Sequence, residues 1–79
     1  MRLEEHYRKT HSRFYEAIDA IMAKGISQRT ICLKTHIDRR NLFAYREFGR
    51  VPASWLSAIV AEFGISAEWL LIGKGDMFN

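Results

Sequence analysis

Apolar residues recur along this chain at helical intervals, and short trios containing glycine or polar groups interrupt them. Phe14, Ala17, Ile18, Ile21 and Met22 follow i, i+3, i+4, i+7, i+8, the stripe of one buried helix face. Ser12 is a candidate cap for that helix, while Leu3 and Tyr7 can continue its face upstream. Residues 1–11 are therefore either an N-terminal arm or an extension of the first helix. Gly25 ends the helix, Ile26 can fold back on it and Ser27 caps the next. Ile31 and Thr35 lie one turn apart; His36-Ile37-Asp38 then supplies a stop, an apolar anchor and a new N-cap before Leu42 and Tyr45.

Gly49 and Pro52 end that segment. Ala53 and Ser54 open a fourth helix with Leu56, Ile59, Val60 and Phe63 on one face. Gly64-Ile65-Ser66 repeats the order of stop, anchor and cap, and a short fifth helix carries Trp69, Leu70 and Leu71, whose density predicts burial. Gly73-Lys74-Gly75 then releases the chain into Met77-Phe78-Asn79. No segment sustains the alternation of a strand. The pattern predicts an all-α fold of five helices in one domain, residues 1–79.

The pair of helices over residues 28–47 is the most informative part. A second helix crossing the first closely needs a small residue there, and Cys32 fills it as a small apolar group rather than a reactive thiol. The tight turn calls for positive φ, cheapest for glycine but tolerated by His36. With Leu42 and Tyr45 turned to the core, Arg39, Arg40, Phe43 and Arg46 face outward.

Charge sharpens this picture. The net +3 of the whole chain conceals a basic middle, where Lys24, Arg29, Lys34, Arg39, Arg40, Arg46 and Arg50 face only Asp38 and Glu47. The segment before it is balanced and the one after it acidic, so one polyanion-facing surface is expected, with a solvated face as the alternative. A chain of 79 residues that is 48% apolar supports one core without staples. Its single cysteine cannot form an internal disulfide, and no apolar run reaches the roughly 18 residues that span a bilayer. A soluble, cytoplasmic protein is expected, with no signal-peptide core at its charged start.

Ser27-Gln28 through Pro52 resembles the lambda-repressor-like helix-turn-helix family, the XRE family of transcriptional regulators. The Ser-Gln start, the small residue five positions into the motif, the apolar residue after the turn, the basic loop and the proline fall in register without a gap. The tail from Gly64 to Phe78, with Trp69-Leu70-Leu71-Ile72-Gly73-Lys74-Gly75 and Met77, is similar to the fifth-helix region of phage CI-type repressors. Three positions depart from the family. His36 replaces the usual turn glycine, Arg46 an acidic residue late in the recognition helix, and Phe48 a frequent glycine, with Gly49 following.

The resemblance implies sequence-specific binding of double-stranded DNA in the major groove by a homodimer, on a palindromic operator, as a transcriptional regulator of the phage or mobile-element repressor type. On that reading Gln28 contacts phosphate or steadies a base-contacting side chain, and Arg29 contacts phosphate. Arg39 and Arg40 read base edges, where arginine suits guanine O6 and N7. Asn41 either reads adenine or stabilises the first helical turn. Phe43 packs on a thymine methyl, or is a core or dimer-contact aromatic. Arg46 and Arg50 clamp phosphates or are simply solvated.

Other constellations carry less. His6, His11 and His36 lack metal-ligand spacing and any cysteine pair, and Gly73-Lys74-Gly75 lacks the pattern of a phosphate loop. Trp55 and Trp69 read as core or dimer-interface groups. No nucleophile with a supporting base emerges, so an enzyme is rejected, and no cofactor or small-molecule ligand is evident. The same fold can also serve as an interaction or antitoxin-like module whose DNA binding is secondary or lost. The fifth helix and tail are the first choice for a dimer surface and the N-terminal residues the second; any response to an effector is expected to come from elsewhere.

Overall fold

A computed structural model describes residues 3–79, and they form five helices: α1 (Leu3–Ala23), α2 (Gln28–Thr35), α3 (Arg39–Phe48), α4 (Ala53–Phe63) and α5 (Ala67–Ile72). The fold is all-α, with no sheet among the described residues beyond an isolated antiparallel bridge between Ile65 and Phe78. From Leu3 onward the N-terminal segment is helix, continuous with the stripe that follows; the alternatives for residues 1–2 lie outside the described residues. Ser12 is an exposed mid-helix residue and caps nothing, because helical bonding runs through it.

The core gathers on α1. Phe14, Ala17, Ile18 and Ile21 are buried, and Ile31, Ile37, Leu42, Ile59, Ile65 and Leu70 close around them from every other element. Met22, expected on the same stripe, is 41% exposed because it sits at the stripe's edge near the end of α1. Leu3 and Tyr7 are also exposed: α1 outruns the elements that could cover them. On α4 the expected face holds, with Ile59 fully buried and Leu56, Val60 and Phe63 packed around the core. On α5 Leu70 is fully buried and Trp69 half-buried, but Leu71 is exposed. A helix of six residues has one side to bury, and Leu71 falls off it.

The junctions follow the stop, anchor and cap order. Ser27, Asp38 and Ser66 each accept a backbone N–H from the first turn of α2, α3 and α5. Ile37 and Ile65 are buried immediately before the second and third of these caps. His36 takes the left-handed conformation, φ 60° and ψ 29°, and is the only non-glycine residue with positive φ among those described. Gly49 is required for a different reason. Its φ of −108° suits any residue, but a Cβ there would lie 2.7 Å from Tyr45 Cγ.

Two long-range ties complete the fold. Arg13 on α1 donates from Nε to the Leu70 carbonyl at 2.7 Å and from its terminal nitrogen to the Leu71 carbonyl at 3.0 Å. A charged donor thereby satisfies carbonyls at the end of α5 that have no helical partner. The tail does not drift away. Ser66 donates to the Met77 carbonyl and Asn79 to the Gly64 carbonyl, and the Lys24 ammonium lies 3.5 Å from the Phe78 ring centre.

The left-handed turn gives a direct test. Replacing His36 by glycine removes the Cβ strain at little other loss, since the side chain is exposed. His36→Gly is expected to stabilise the domain by about 0.5 kcal/mol, raising the melting temperature by a few degrees. A clear fall in thermal stability would contradict this account of the turn.

Candidate nucleic-acid interface

α3 is amphipathic in the simplest sense: one side chain, Leu42, is buried at 2% exposure, and the exposed residues are three arginines, Asn41, Phe43, Ala44, Glu47 and Phe48. Asp38 Oδ1 accepts the Arg40 N–H at 2.8 Å and fixes where the helix begins. Arg39, Arg40 and Asn41 follow in its exposed first turn, which carries no acidic residue. Two guanidinium groups there oppose the helix dipole, at a cost of roughly 0.3–1 kcal/mol each. Helix stability alone does not favour them. Phe43, 53% exposed, stands further along the same helix.

The rotation of α3 is set from behind by Tyr15. This tyrosine is 5% exposed, and its hydroxyl donates to the Leu42 carbonyl at 2.6 Å. Burial pushes its pKa up to about 12 from 10.0, against a smaller downward pull from the Arg46 charge. Its ring also meets Phe14 edge-on and lies 5.2 Å from the Arg46 guanidinium. Behind it Trp55 packs against both Phe14 and Tyr45, with ring centres 6.0 and 4.9 Å away, so this tryptophan belongs to the core's aromatic edge.

Arg46 is held more firmly than the sequence suggests. Both of its terminal nitrogens donate to the two Asp19 carboxylate oxygens, at 3.1 and 2.7 Å. The Asp19 bond raises the arginine's pKa further above its usual value. Both partners are about half exposed, at 45% and 54%, so the pair contributes little to stability and its charge remains reachable. Gln28, half-buried at the first position of α2, lines with Phe43 and Arg46 a cleft of about 200 Å³ between α1 and α3. Arg29 beside it is exposed.

Arg50 stands apart from this group. It lies in the α3–α4 loop with its guanidinium 4.8 Å from the Tyr7 ring centre on α1. The expected residues thus fall into an α3 cluster of Arg39, Arg40, Asn41 and Phe43, a cleft group of Gln28 and Arg46, and a flanking Arg50. Cys32 is half-buried and packs on the core; burial pushes its thiol pKa up, which keeps it protonated and unreactive. Asp19, Tyr15 and Tyr7, which position these groups, carry no local signal: each meets its partner across at least 27 residues of chain.

Neither family models, nor curated proteins, nor solved structures give a match to this chain.

Tyr15→Phe tests the brace behind α3. Loss of the hydrogen bond is expected to cost about 0.5–1.5 kcal/mol at neutral pH. Because the folded pKa is about 12 and the unfolded value 10.0, the contribution is whole below pH 10 and fades as pH rises toward 12. The stability gap between wild type and Tyr15→Phe should therefore narrow across that window in urea titrations. A gap that widens there would refute the assignment.

Proposed function

We propose that this chain is a sequence-specific double-stranded-DNA-binding regulator of the lambda-repressor-like helix-turn-helix type. It acts in the cytoplasm as a repressor, as a homodimer on a palindromic operator. The observation that carries the reading is the pair Arg39-Arg40, exposed at the capped start of a helix whose opposite side is anchored by Leu42 and Tyr15. Guanidinium groups held there against the dipole gain their return from an external acceptor. Guanine O6 and N7 at the edge of a major groove match their planar donors.

Phosphates then account for the basic periphery. Arg29 is exposed on α2 and Arg50 in the loop after α3, and Arg46 can exchange its solvent-exposed carboxylate partner for a phosphate at little cost. Phe43 supplies an apolar contact for a thymine methyl, and Asn41 an adenine-matching amide. A single domain of this size covers limited DNA surface, which favours two copies. The exposed Leu71 of α5 lines a groove with Leu56, Val60 and Leu70, an apolar face suited to a protein contact. That groove equally favours a second reading, an interaction module whose partner docks on α4 and α5.

Anisotropy with random-sequence duplex at two salt concentrations separates the readings, since phosphate contacts release counterions and an interaction module has none to release. Binding that weakens steeply with salt is expected; no binding at low salt would favour the module. On an operator selected from random duplexes, Arg39→Ala is expected to lose about 1–3 kcal/mol and relax preference at one base position. Wild-type affinity in that variant would refute the placement of the reading helix. Asp19→Asn, which releases Arg46 from its pair, should tighten binding to all sequences alike, as gel-shift titrations would reveal.

A further inference from the structure

We propose that the cavity where α1, the α3–α4 loop, α4 and α5 meet binds a small single-ring hydroxy-aromatic acid, of the hydroxybenzoate class. The cavity holds about 150 Å³, with Thr10 and His11 of α1 on one wall and Val51, Leu56 and Leu71 supplying apolar surface. That is the size of an apolar cavity that accepts a benzene ring.

Its polar atoms argue for an occupant rather than a packing flaw. Thr10 is 6% exposed, yet its hydroxyl has no partner among the described residues. Thr35, the other buried threonine, spends its hydroxyl on the Ile31 carbonyl at 2.7 Å. His11 beside Thr10 has a second unpartnered atom. Its Nε2 lies 3.2 Å from the Arg46 carbonyl, which only accepts, so Nε2 carries the proton. In the singly protonated tautomer with the proton on Nε2, Nδ1 is an acceptor, and this atom too is buried without a partner. The two residues that carry these orphaned atoms both line the same small space, and unmade buried hydrogen bonds are costly.

Arg50 completes the site. It also lines the cavity, and its guanidinium is held over the Tyr7 ring while no carboxylate among the described residues pairs with it. A carboxylate on the ligand takes Arg50, the ring takes Val51, Leu56 and Leu71, and a ligand hydroxyl donates to His11 Nδ1 while accepting from Thr10. Because His11 holds the Arg46 carbonyl, occupancy is felt at the C-terminal end of α3.

Calorimetric titration of the protein alone with 2-, 3- and 4-hydroxybenzoate tests this, with benzoate, benzyl alcohol and sulfate as comparisons. At least one hydroxybenzoate is expected to bind with Kd of about 10 µM to 1 mM. Benzoate should be about fivefold weaker, and benzyl alcohol and sulfate silent. Thr10→Val and Arg50→Ala should each weaken the best ligand about five- to tenfold. If Thr10→Val does not fold, amide shift changes in wild type centred on Thr10, His11 and Leu71 carry the same test. Absence of binding by every hydroxybenzoate, equal binding of benzyl alcohol, or unchanged affinity in the variants would overturn the proposal. No DNA is present, so the outcome is independent of the role given to Arg39 and Arg40.

Discussion

The hydrogen bond from the Tyr15 hydroxyl to the Leu42 carbonyl, made behind α3 and inside the core, fixes which side of that helix meets solvent. α3 has ten residues and one buried side chain, and the pairing of Arg46 with Asp19 and the packing of Tyr45 on Trp55 hold it in the same orientation. Turning it by a single residue would swing the arginine pair inward and expose Leu42, so the tyrosine and the leucine act as one anchor. Burial around Tyr15 raises the cost of ionising the hydroxyl, which keeps it a donor throughout the ordinary pH range.

From that anchor the molecule divides into a rigid back and a charged front. The back is the α1 stripe, onto which α5 is clamped by Arg13 and against whose aromatic edge Trp55 of α4 packs. The front is the exposed face of α3 with the start of α2 beside it across the cleft lined by Gln28, Phe43 and Arg46, and Arg50 follows in the loop after α3. Arg46 sits between the two, paired with Asp19 on α1 and stacked near Tyr15. It couples the orientation of α3 to α1 while keeping a charge within reach of solvent. The same border contains the cavity lined by Thr10 and His11, and His11 reaches from there to the Arg46 carbonyl.

Much of this was legible in the chain itself. Helix ends obey local rules, so Ser27, Asp38 and Ser66 as caps and His36 as a left-handed stop follow from residue chemistry within one turn. The outward set on α3 follows from placing Leu42 inside. Expectations failed where a pattern needs a neighbour to complete it. Leu3, Tyr7, Met22 and Leu71 have the right spacing or hydrophobicity for burial, yet nothing packs over them enough to bury them. Ser12 has the chemistry of a cap but lies within a helix that starts upstream.

The sequence by itself determined the five helices, their stops and the basic character of the middle segment, because each depends on interactions spanning a turn or two. Only the tertiary structure decided that Arg46 is held by Asp19, that Arg13 closes the end of α5, that Arg50 stacks on Tyr7 and that the tail returns to Gly64. These contacts join residues far apart in the chain, and no spacing rule encodes them. Their geometry exists only once the apolar stripes have excluded water and fixed the helices against one another.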